Sequence, residues 1–154
     1  MKPEEKLESL GLSLPPPVEP VANYVTSVIE GDLLYTSGAG PIEGGKPKYQ
    51  GRVGAELSLE EGYEAARLTA LNLLSIIKAR IGGLDRIERV VKVLGFVSSA
   101  PDFHRQPEVI NGASDLLVEV LGEQGRHARS AIGTSNLPLN IPVEIEMIVR
   151  IKTE

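Results

Sequence analysis

The sequence predicts a single α+β domain in which two amphipathic helices cover one face of a β-sheet. Its 154 residues are the length of one ordinary domain. β-Rich runs and helical patterns follow one another along the chain in the order hairpin, helix, strand, helix, two strands. Two helices are enough to cover only one face of such a sheet, which is the layered arrangement typical of α+β proteins.

Residues 1–22 are predicted to form an N-terminal arm, followed by the domain over residues 23–154. Residues 3–11 have the pattern of a short helix, with Leu7 and Leu10 on one face. The proline-rich segment LPPPVEP favours an extended path, because proline fixes its own φ and lacks an N–H group. We expect this arm to lie on the domain rather than to separate two domains.

The first predicted element of the domain is a hairpin. Two β-rich runs, Val25–Glu30 and Asp32–Ser37, are joined at Gly31. The stretch GAGPIEGGKPKYQGRVG over residues 38–54 is crowded with glycine and proline. Such a composition predicts a loop or an irregular ribbon.

A long helix is predicted after Ser58. Ser58 and Glu61 form a capping-box pattern, in which the serine side chain accepts from an early backbone N–H and the glutamate reaches back. Helical spacing is followed by Ala66, Ala70, Leu73, Leu74, Ile77 and Ile81. Gly82 ends the run, and the valine-rich stretch Arg89–Ser98 then predicts a strand.

A second amphipathic helix is predicted from Pro107, which suits the first helical turn, to Gly122. Its apolar positions are Ile110, Ala113, Leu117, Val120 and Leu121. Arg129–Ser135 and Pro142–Lys152 are predicted to be the last strands, because both are rich in residues that favour β-structure.

The final strand has one apolar face and one mixed face. The apolar face carries Val143, Ile145, Met147, Val149 and Ile151. The opposite face carries Glu144, Glu146, Ile148 and Arg150. A polar face that also holds an isoleucine indicates either a solvated surface or one used for assembly.

Composition and charge exclude several classes of function. The net charge of −5 argues against a nucleic-acid-binding protein, which needs a basic surface to contact phosphates. The sequence has no cysteine, and therefore no disulfide, thiolate nucleophile or cysteine-bound metal. The charged N-terminus lacks the apolar core of a secretory signal, and no stretch is apolar enough to span a membrane. We therefore expect a cytoplasmic protein.

Metal and cofactor sites have little support in the sequence. The two histidines, His104 and His127, have no carboxylate at metal-ligand spacing on a helix. We interpret both as loop histidines, because a catalytic or metal site needs partners that converge on it. The glycines before Pro41 lack the phosphate-loop pattern and are not followed by a helix. The sequence therefore predicts neither a bound metal ion nor a cofactor.

Arg129 and Glu144 are the strongest candidates for a functional site. Arg129 opens the small-residue strand ARSAIG, where a guanidinium has room to hold a substrate carboxylate by two parallel hydrogen bonds. Glu144 begins the next strand on its polar face, where it is suited to accept a proton or to position a water molecule. The alternative interpretation is an ordinary cross-strand ion pair near the surface.

From about Asn23 to Ile151 the chain resembles the YjgF/RidA family, also called UK114-like or endoribonuclease L-PSP. The segments that carry the resemblance are NYVTSVIEGDLLYTSGAGPI, the helix from Ser58, the valine-rich strand followed by APDF, and ARSAIGTSNLPLNIPVEIEMIVRI. The elongated N-terminus and the segment HARSAIG are similar to a divergent, YjgF-like branch of that family.

The resemblance implies a chorismate-mutase-like fold with a mixed β-sheet, assembled as a homotrimer with clefts between neighbouring subunits. It also implies a deaminase reaction: cofactor-free hydrolysis of reactive enamine and imine intermediates, such as 2-aminoacrylate, to 2-oxo acids and ammonia. The expected partners are a small carboxylate-bearing imine or 2-oxo acid and further copies of the chain, and neither a membrane nor a nucleic acid is expected.

Residue by residue, the resemblance implies roles for six residues. Arg129 matches the family arginine that holds the substrate carboxylate, and Glu144 matches the glutamate that helps to position the attacking water. Tyr24 matches the tyrosine of the family's early motif, and we expect it to be a catalytic residue. The matched substrate-binding positions are Ser37, Gly38 and Asn111.

Departures from the family pattern leave other functions open. Ala131 stands where many members have a cysteine, Ala39 replaces a polar residue, and the segment between Phe103 and Asn111 is longer than usual. One alternative is therefore a non-catalytic trimer that binds small carboxylates as a sensor or carrier. An endoribonuclease or translation inhibitor, as in the family's older name, is disfavoured by the acidic net charge.

Overall fold

The computed structural model describes residues 1–20 and 22–153. In chain order its helices and strands are α1 Pro3–Ser9, β1 Ser27–Glu30, β2 Leu33–Thr36, β3 Ile42–Glu43, β4 Lys46–Pro47, α2 Leu59–Ile81, β5 Ile87–Ser98, α3 Gln106–Leu121, β6 Ala128–Thr134 and β7 Val143–Ile151. Val21 and Glu154, which fall within the predicted arm and domain, lie outside the described residues. The helices and strands predicted from the sequence are confirmed, with small shifts at their ends.

Five strands form one mixed sheet in the order β1-β2-β7-β5-β6. Neighbouring strands are antiparallel except for β5 and β6, which are parallel and are connected through α3. β7 therefore lies at the centre of the sheet, whereas β6 lies at one edge, with β5 between them. The mixed sheet and its helical layer confirm the predicted α+β class.

α2 begins where the sequence predicts, because both capping-box hydrogen bonds are formed. The Glu61 N–H donates to the Ser58 hydroxyl oxygen at 3.1 Å, and the Ser58 N–H donates to the Glu61 carboxylate at 3.0 Å. Gly82 ends the helix with a φ of 94°, in the left-handed region that glycine adopts without strain. The predicted apolar stripe of α2 is buried.

α3 packs closely against α2. A Cβ atom at position 112 would lie 2.0 Å from the Tyr63 carbonyl oxygen, so Gly112 allows an approach that a side chain would block. The Tyr63 hydroxyl also donates to Asp115 at 2.6 Å, and Arg67 forms an ion pair with Glu119 at 3.1 Å. The two helices thus form one layer. Within the described residues, no helix has both the length and the apolar composition needed to cross a membrane.

The loop rich in glycine and proline is irregular, as predicted, apart from the two-residue strands β3 and β4. It is attached to α2 by Asn72, whose buried amide donates to the carbonyl oxygens of Gly40 and Ile42, both at 3.0 Å. Because these bonds satisfy the amide hydrogens away from water, they fix the loop just after the end of β2.

The N-terminal arm lies on α2 and on the turn that follows it, as we expected. The Glu4 carboxylate accepts a hydrogen bond at 2.7 Å from the first residue of that turn, and the Ser75 hydroxyl donates to the Pro15 carbonyl oxygen. Leu7 is buried, whereas Leu10 follows the end of α1 and is exposed. Only the first of the two leucines therefore takes part in the packing of α1.

The sheet face that points away from the helices is mixed, as the alternation in β7 predicts. Val28, Tyr35 and Ile148 lie in one row across β1, β2 and β7. The exposed fractions of Val28 and Tyr35 are 49% and 41%, and Ile132 on the edge strand is also 49% exposed. Large apolar side chains therefore share this surface with Glu146, which is exposed as well.

Candidate active site

The predicted site residues fall into two groups on opposite faces of the sheet. Val93 of β5 stands opposite Arg129 of β6, whereas Phe96 of β5 stands opposite Glu144 of β7. Residues that stand opposite each other point to the same face, and positions 93 and 96 of one strand point to different faces. Val93 is fully buried beneath the helices. The Arg129 side chain therefore faces α3, and the Glu144 side chain faces the open side of the sheet.

This geometry overturns the alternative interpretation of Arg129 and Glu144 as a cross-strand ion pair. The two residues lie on strands that are consecutive in the chain but not adjacent in the sheet, because the parallel strand β6 occupies the edge beyond β5. Among the ion pairs of residues 1–20 and 22–153, none includes Arg129 or Glu144. Each side chain is consequently available for another partner.

Tyr24, Ser37, Gly38 and Glu144 line one cavity of about 290 Å³. Many of the other lining residues are apolar: Ala39, Ile42, Ile76, Pro138, Leu139 and Ile141. A cavity with apolar walls and a few polar groups is typical of small-molecule sites. A larger cavity, of about 520 Å³ between the arm and α2, contains none of the predicted site residues.

Gly38 and Glu144 are in close contact inside this cavity. A Cβ atom at position 38 would lie 2.7 Å from Oε2 of Glu144 and 3.0 Å from its carboxyl carbon. The glutamate side chain therefore occupies the space that any larger residue at position 38 would fill. The backbone at Gly38 therefore leaves room for the Glu144 carboxylate.

Ser37 has a structural hydrogen bond in addition to its place in the cavity wall. Its hydroxyl donates to the Val25 carbonyl oxygen at 2.6 Å, and its backbone N–H donates to the Thr26 carbonyl oxygen at 2.8 Å. These bonds join the end of β2 to the segment that carries Tyr24. Since the hydroxyl hydrogen is already used, Ser37 offers a ligand only the lone pairs of its oxygen.

The environment of Glu144 favours its protonated form more than water does. Burial raises the pKa of the Glu144 carboxyl, and the nearby negative charge of Glu146 raises it further. A partly desolvated carboxylate is a stronger hydrogen-bond acceptor than an exposed one. Such a group is suited to hold and polarise a water molecule.

Arg129 and Asn111 form the second group, at the edge of the sheet. Nη1 of Arg129 donates to the side-chain oxygen of Asn111 at 2.8 Å and to the hydroxyl oxygen of Ser114 at 3.1 Å. Both of these hydrogen bonds use the same nitrogen. The Nε and Nη2 hydrogens form the other edge of the guanidinium, which is the fork that binds a carboxylate by two parallel hydrogen bonds.

Ser114 was not among the residues predicted from the sequence, and His127 was predicted only to be a loop histidine. The His127 ring lies just before β6, with Nε2 2.9 Å from the Ser114 hydroxyl and Nδ1 2.6 Å from the Gly125 carbonyl oxygen. Burial lowers the pKa of His127, and the charge of Arg129 lowers it further. The available signal was spacing: Ser114 follows Asn111 by about one helical turn, and His127 precedes Arg129 by two residues.

The N-terminal arm also contributes to the first group, which the sequence did not predict. Val18, Glu19 and Pro20 line the same cavity as Glu144. The arm therefore helps to shape the space in which a ligand of that cavity would lie.

Comparisons with known proteins agree with this architecture. The family model described as "YjgF/chorismate mutase-like, putative endoribonuclease" matches residues 4–150. Protein TCP17 of Trypanosoma cruzi is 44% identical over 146 residues, which are 94% of this chain and 91% of the relative. The crystal structure of Atu1372 from Agrobacterium tumefaciens, a protein of unknown function, is 48% identical with a TM-score of 0.92, covering 97% of this chain and 92% of the other.

A crystal structure from Shewanella oneidensis MR-1, described as "a putative endoribonuclease", has a TM-score of 0.95 and 36% identity, covering 98% of this chain and all of the other. These matches confirm the resemblance found in the sequence. The family match covers nearly the whole chain, including part of the N-terminal arm. The chain belongs to the YjgF/chorismate mutase-like family.

Proposed function

We propose that this protein hydrolyses carboxylate-bearing imines and enamines, of the 2-aminoacrylate type, to 2-oxo acids and ammonia. The observation that carries the proposal is the pair of complementary half-sites. One is a partly buried carboxylate, Glu144, in a cavity with many apolar walls. The other is a partly buried guanidinium, Arg129, whose described partners are both neutral side chains. An imine that carries a carboxylate needs one group of each kind.

The site is proposed to lie between subunits of a homotrimer. Arg129 and Glu144 face opposite sides of the sheet, so one copy of the chain does not offer both groups to one small substrate. Closed cyclic assembly brings different surfaces of neighbouring copies together. The mixed open face, with Val28, Tyr35 and Ile132 exposed, is the surface that such an assembly would cover.

The proposed reaction depends on orienting the substrate and a water molecule more than on a reactive side chain. Nε and Nη2 of Arg129 hold the substrate carboxylate, and this fixes the imine carbon relative to Glu144 of the neighbouring copy. The Glu144 carboxylate accepts a hydrogen bond from water, which adds to the imine carbon as the imine nitrogen takes a proton. The resulting amino alcohol loses ammonia and leaves the 2-oxo acid. An enamine enters the same path after tautomerising to the imine.

Tyr24 is proposed to assist at the nitrogen. Its ring lines the Glu144 cavity, and half of its surface is exposed. A phenol in that position can donate a hydrogen bond to the departing amine. The apolar walls of the cavity suit the uncharged side chain of a small amino-acid-derived imine.

Two other functions have a specific observation in their favour. Ala131 stands where many family members have a cysteine, and Ala39 where a polar residue is usual; both changes are compatible with a protein that binds small carboxylates without turnover. The description of the matched family names an endoribonuclease. The net charge of −5 opposes the second alternative, since RNA affinity depends on neutralising phosphates.

Ammonia release is the decisive test. An amino-acid oxidase generates imines in situ from several amino acids, and ammonia is measured with and without the purified protein. We expect faster release with wild-type protein and only a small part of this acceleration with Arg129→Lys or Glu144→Gln. Calorimetric binding of 2-oxobutyrate without acceleration would instead identify a carrier, and cleavage of single-stranded RNA that requires Glu144 would identify a nuclease.

A further inference from the structure

A chain of three hydrogen bonds connects the Arg129 guanidinium to the protein backbone. Nη1 of Arg129 donates to the Ser114 hydroxyl oxygen at 3.1 Å. The same oxygen lies 2.9 Å from Nε2 of His127, and Nδ1 of His127 lies 2.6 Å from the carbonyl oxygen of Gly125. The chain runs from the edge strand across α3 to the turn before β6.

The Gly125 carbonyl together with a neutral His127 ring sets the direction of every bond. A carbonyl oxygen only accepts, so Nδ1 of His127 carries a hydrogen. In the neutral ring Nε2 then accepts, which makes the Ser114 hydroxyl its donor. The lone pairs of the Ser114 oxygen are thereby left for Arg129. Burial lowers the pKa of His127, and the arginine charge lowers it further; these effects outweigh the hydrogen bond to Gly125, which raises it, and support the neutral ring.

The consequence for Arg129 is a fixed orientation. Nη1 has two hydrogens, and Asn111 and Ser114 accept one each. A guanidinium held along one edge cannot rotate freely, and its Nε–Nη2 edge keeps one direction. An arginine ordered before binding loses less conformational entropy when it engages a carboxylate.

We propose that Ser114 and His127 are positioning residues that hold Arg129 ready to bind the substrate carboxylate. The inference rests on the proposed function, because it concerns the arginine assigned to the substrate. His127 orients the Ser114 hydroxyl, Ser114 holds Nη1, and neither residue touches the substrate. The pair thus acts on substrate affinity rather than on the chemical step.

A serine nucleophile activated by His127 would use the same two side chains. The contacts favour positioning, since the Ser114 oxygen is already an acceptor for Arg129 as well as a partner of His127. Ser114 also lies in the interior of α3 rather than on a turn. Covalent labelling of Ser114 by a fluorophosphonate would overturn the positioning role.

The test compares Ser114→Ala with Tyr63→Phe, a matched control that removes another side-chain hydrogen bond to α3, the one to Asp115. We expect Ser114→Ala to raise KM for the imine and Kd for 2-oxobutyrate by about tenfold, the effect of losing one hydrogen bond to a charged group. The value of kcat should change by less than about twofold, because the chemical step is intact. Tyr63→Phe should leave KM and Kd unchanged.

A double-mutant cycle and a conservative replacement separate positioning from general damage. If Ser114 acts through Arg129, then Ser114→Ala should have no further effect on Kd in an Arg129→Lys background. His127→Gln keeps an acceptor close to the position of Nε2 and should retain more affinity than His127→Leu. Additive effects, or equal losses from the two His127 variants, would overturn the inference.

One readout is independent of activity. In wild-type protein and in Tyr63→Phe, the Arg129 guanidinium ¹H–¹⁵N signals should be resolved and slow to exchange, whereas Ser114→Ala should broaden them. If wild-type protein neither binds nor hydrolyses these substrates, the proposed function fails while this spectrum still reports the positioning. Arg129 signals that are identical in Ser114→Ala and wild type would contradict the positioning role itself.

Discussion

The Glu144 carboxylate lies against the α-carbon of Gly38, with Oε2 only 2.7 Å from the place where a Cβ atom would be. The contact joins the second residue of β7 to the segment after β2, and it lies inside the proposed active-site cavity. Because Gly38 has no side chain, the Glu144 carboxylate can occupy this position.

Gly38→Ala should displace Glu144 and slow imine hydrolysis by at least about tenfold, because a displaced carboxylate loses part of the roughly 10²- to 10⁴-fold contribution of an acid–base group. Gly38 is not among the residues with positive φ, so alanine suits its backbone and the fold should persist. Steady-state kinetics and circular dichroism check both points. In a Glu144→Ala background, Gly38→Ala should not slow hydrolysis any further. A loss of the same size in that background would show that Gly38 acts by another route.

Glu144→Gln should make the protein more stable and less active at neutral pH. The fold raises the pKa of Glu144, so the native state holds this proton more tightly than the unfolded chain does. Ionised Glu144 therefore lowers the free energy of unfolding when the pH is above its pKa in the native state. This loss disappears as the pH falls below the pKa of Glu144 in the unfolded chain. Thermal unfolding from pH 4 to pH 8 should show the variant's advantage at high pH only; an advantage that persists at acid pH would refute this cause.

Arg129→Lys should abolish most turnover while the chain still folds. A lysine supplies one point charge in place of the guanidinium fork, and it cannot bond Asn111, Ser114 and a carboxylate in the same geometry. The measurement is kcat/KM with imines generated by an oxidase, beside the unfolding temperature. Wild-type kcat/KM in this variant would remove Arg129 from the mechanism.

Ile148→Glu should dissociate the proposed trimer. Ile148 lies on the open face between Tyr35 and Lys92, and a carboxylate buried there on assembly would have to lose its hydration. Light scattering coupled to gel filtration should give a folded monomer without activity. Ala79→Glu, at an exposed position on α2, is the matched control and should remain trimeric. A wild-type protein that is monomeric at micromolar concentration would contradict the assembly.

The sequence predicted the features that depend on residues close together in the chain. The start of α2 follows from Ser58 and Glu61, its end follows from Gly82, and each signal lies within one helical turn of its effect. The alternation in β7 likewise predicted which side chains face the core, because a strand has a period of two. These inferences did not require knowledge of any distant contact.

The strand order, by contrast, depends on contacts between distant parts of the chain. Nothing near Arg129 or Glu144 shows that β5 lies between their strands, and so the cross-strand ion pair remained a reasonable hypothesis until the register was known. The contact of Ser114 with His127 also arises only when α3 is placed over β6. Side chains that meet through tertiary packing have no local signature in the sequence.

In the proposed trimer, a carboxylate-binding arginine from one copy and a catalytic glutamate from its neighbour form one site. Arg129→Lys and Glu144→Gln chains carrying different tags should be co-expressed, and the mixed oligomers should be isolated by both tags. Each variant alone is expected to be inactive. If the site is shared, every mixed cyclic trimer has both native groups in one of its three clefts, and ammonia release should recover to about a third of the wild-type rate. Mixed oligomers as inactive as their parents would contradict a site shared between copies.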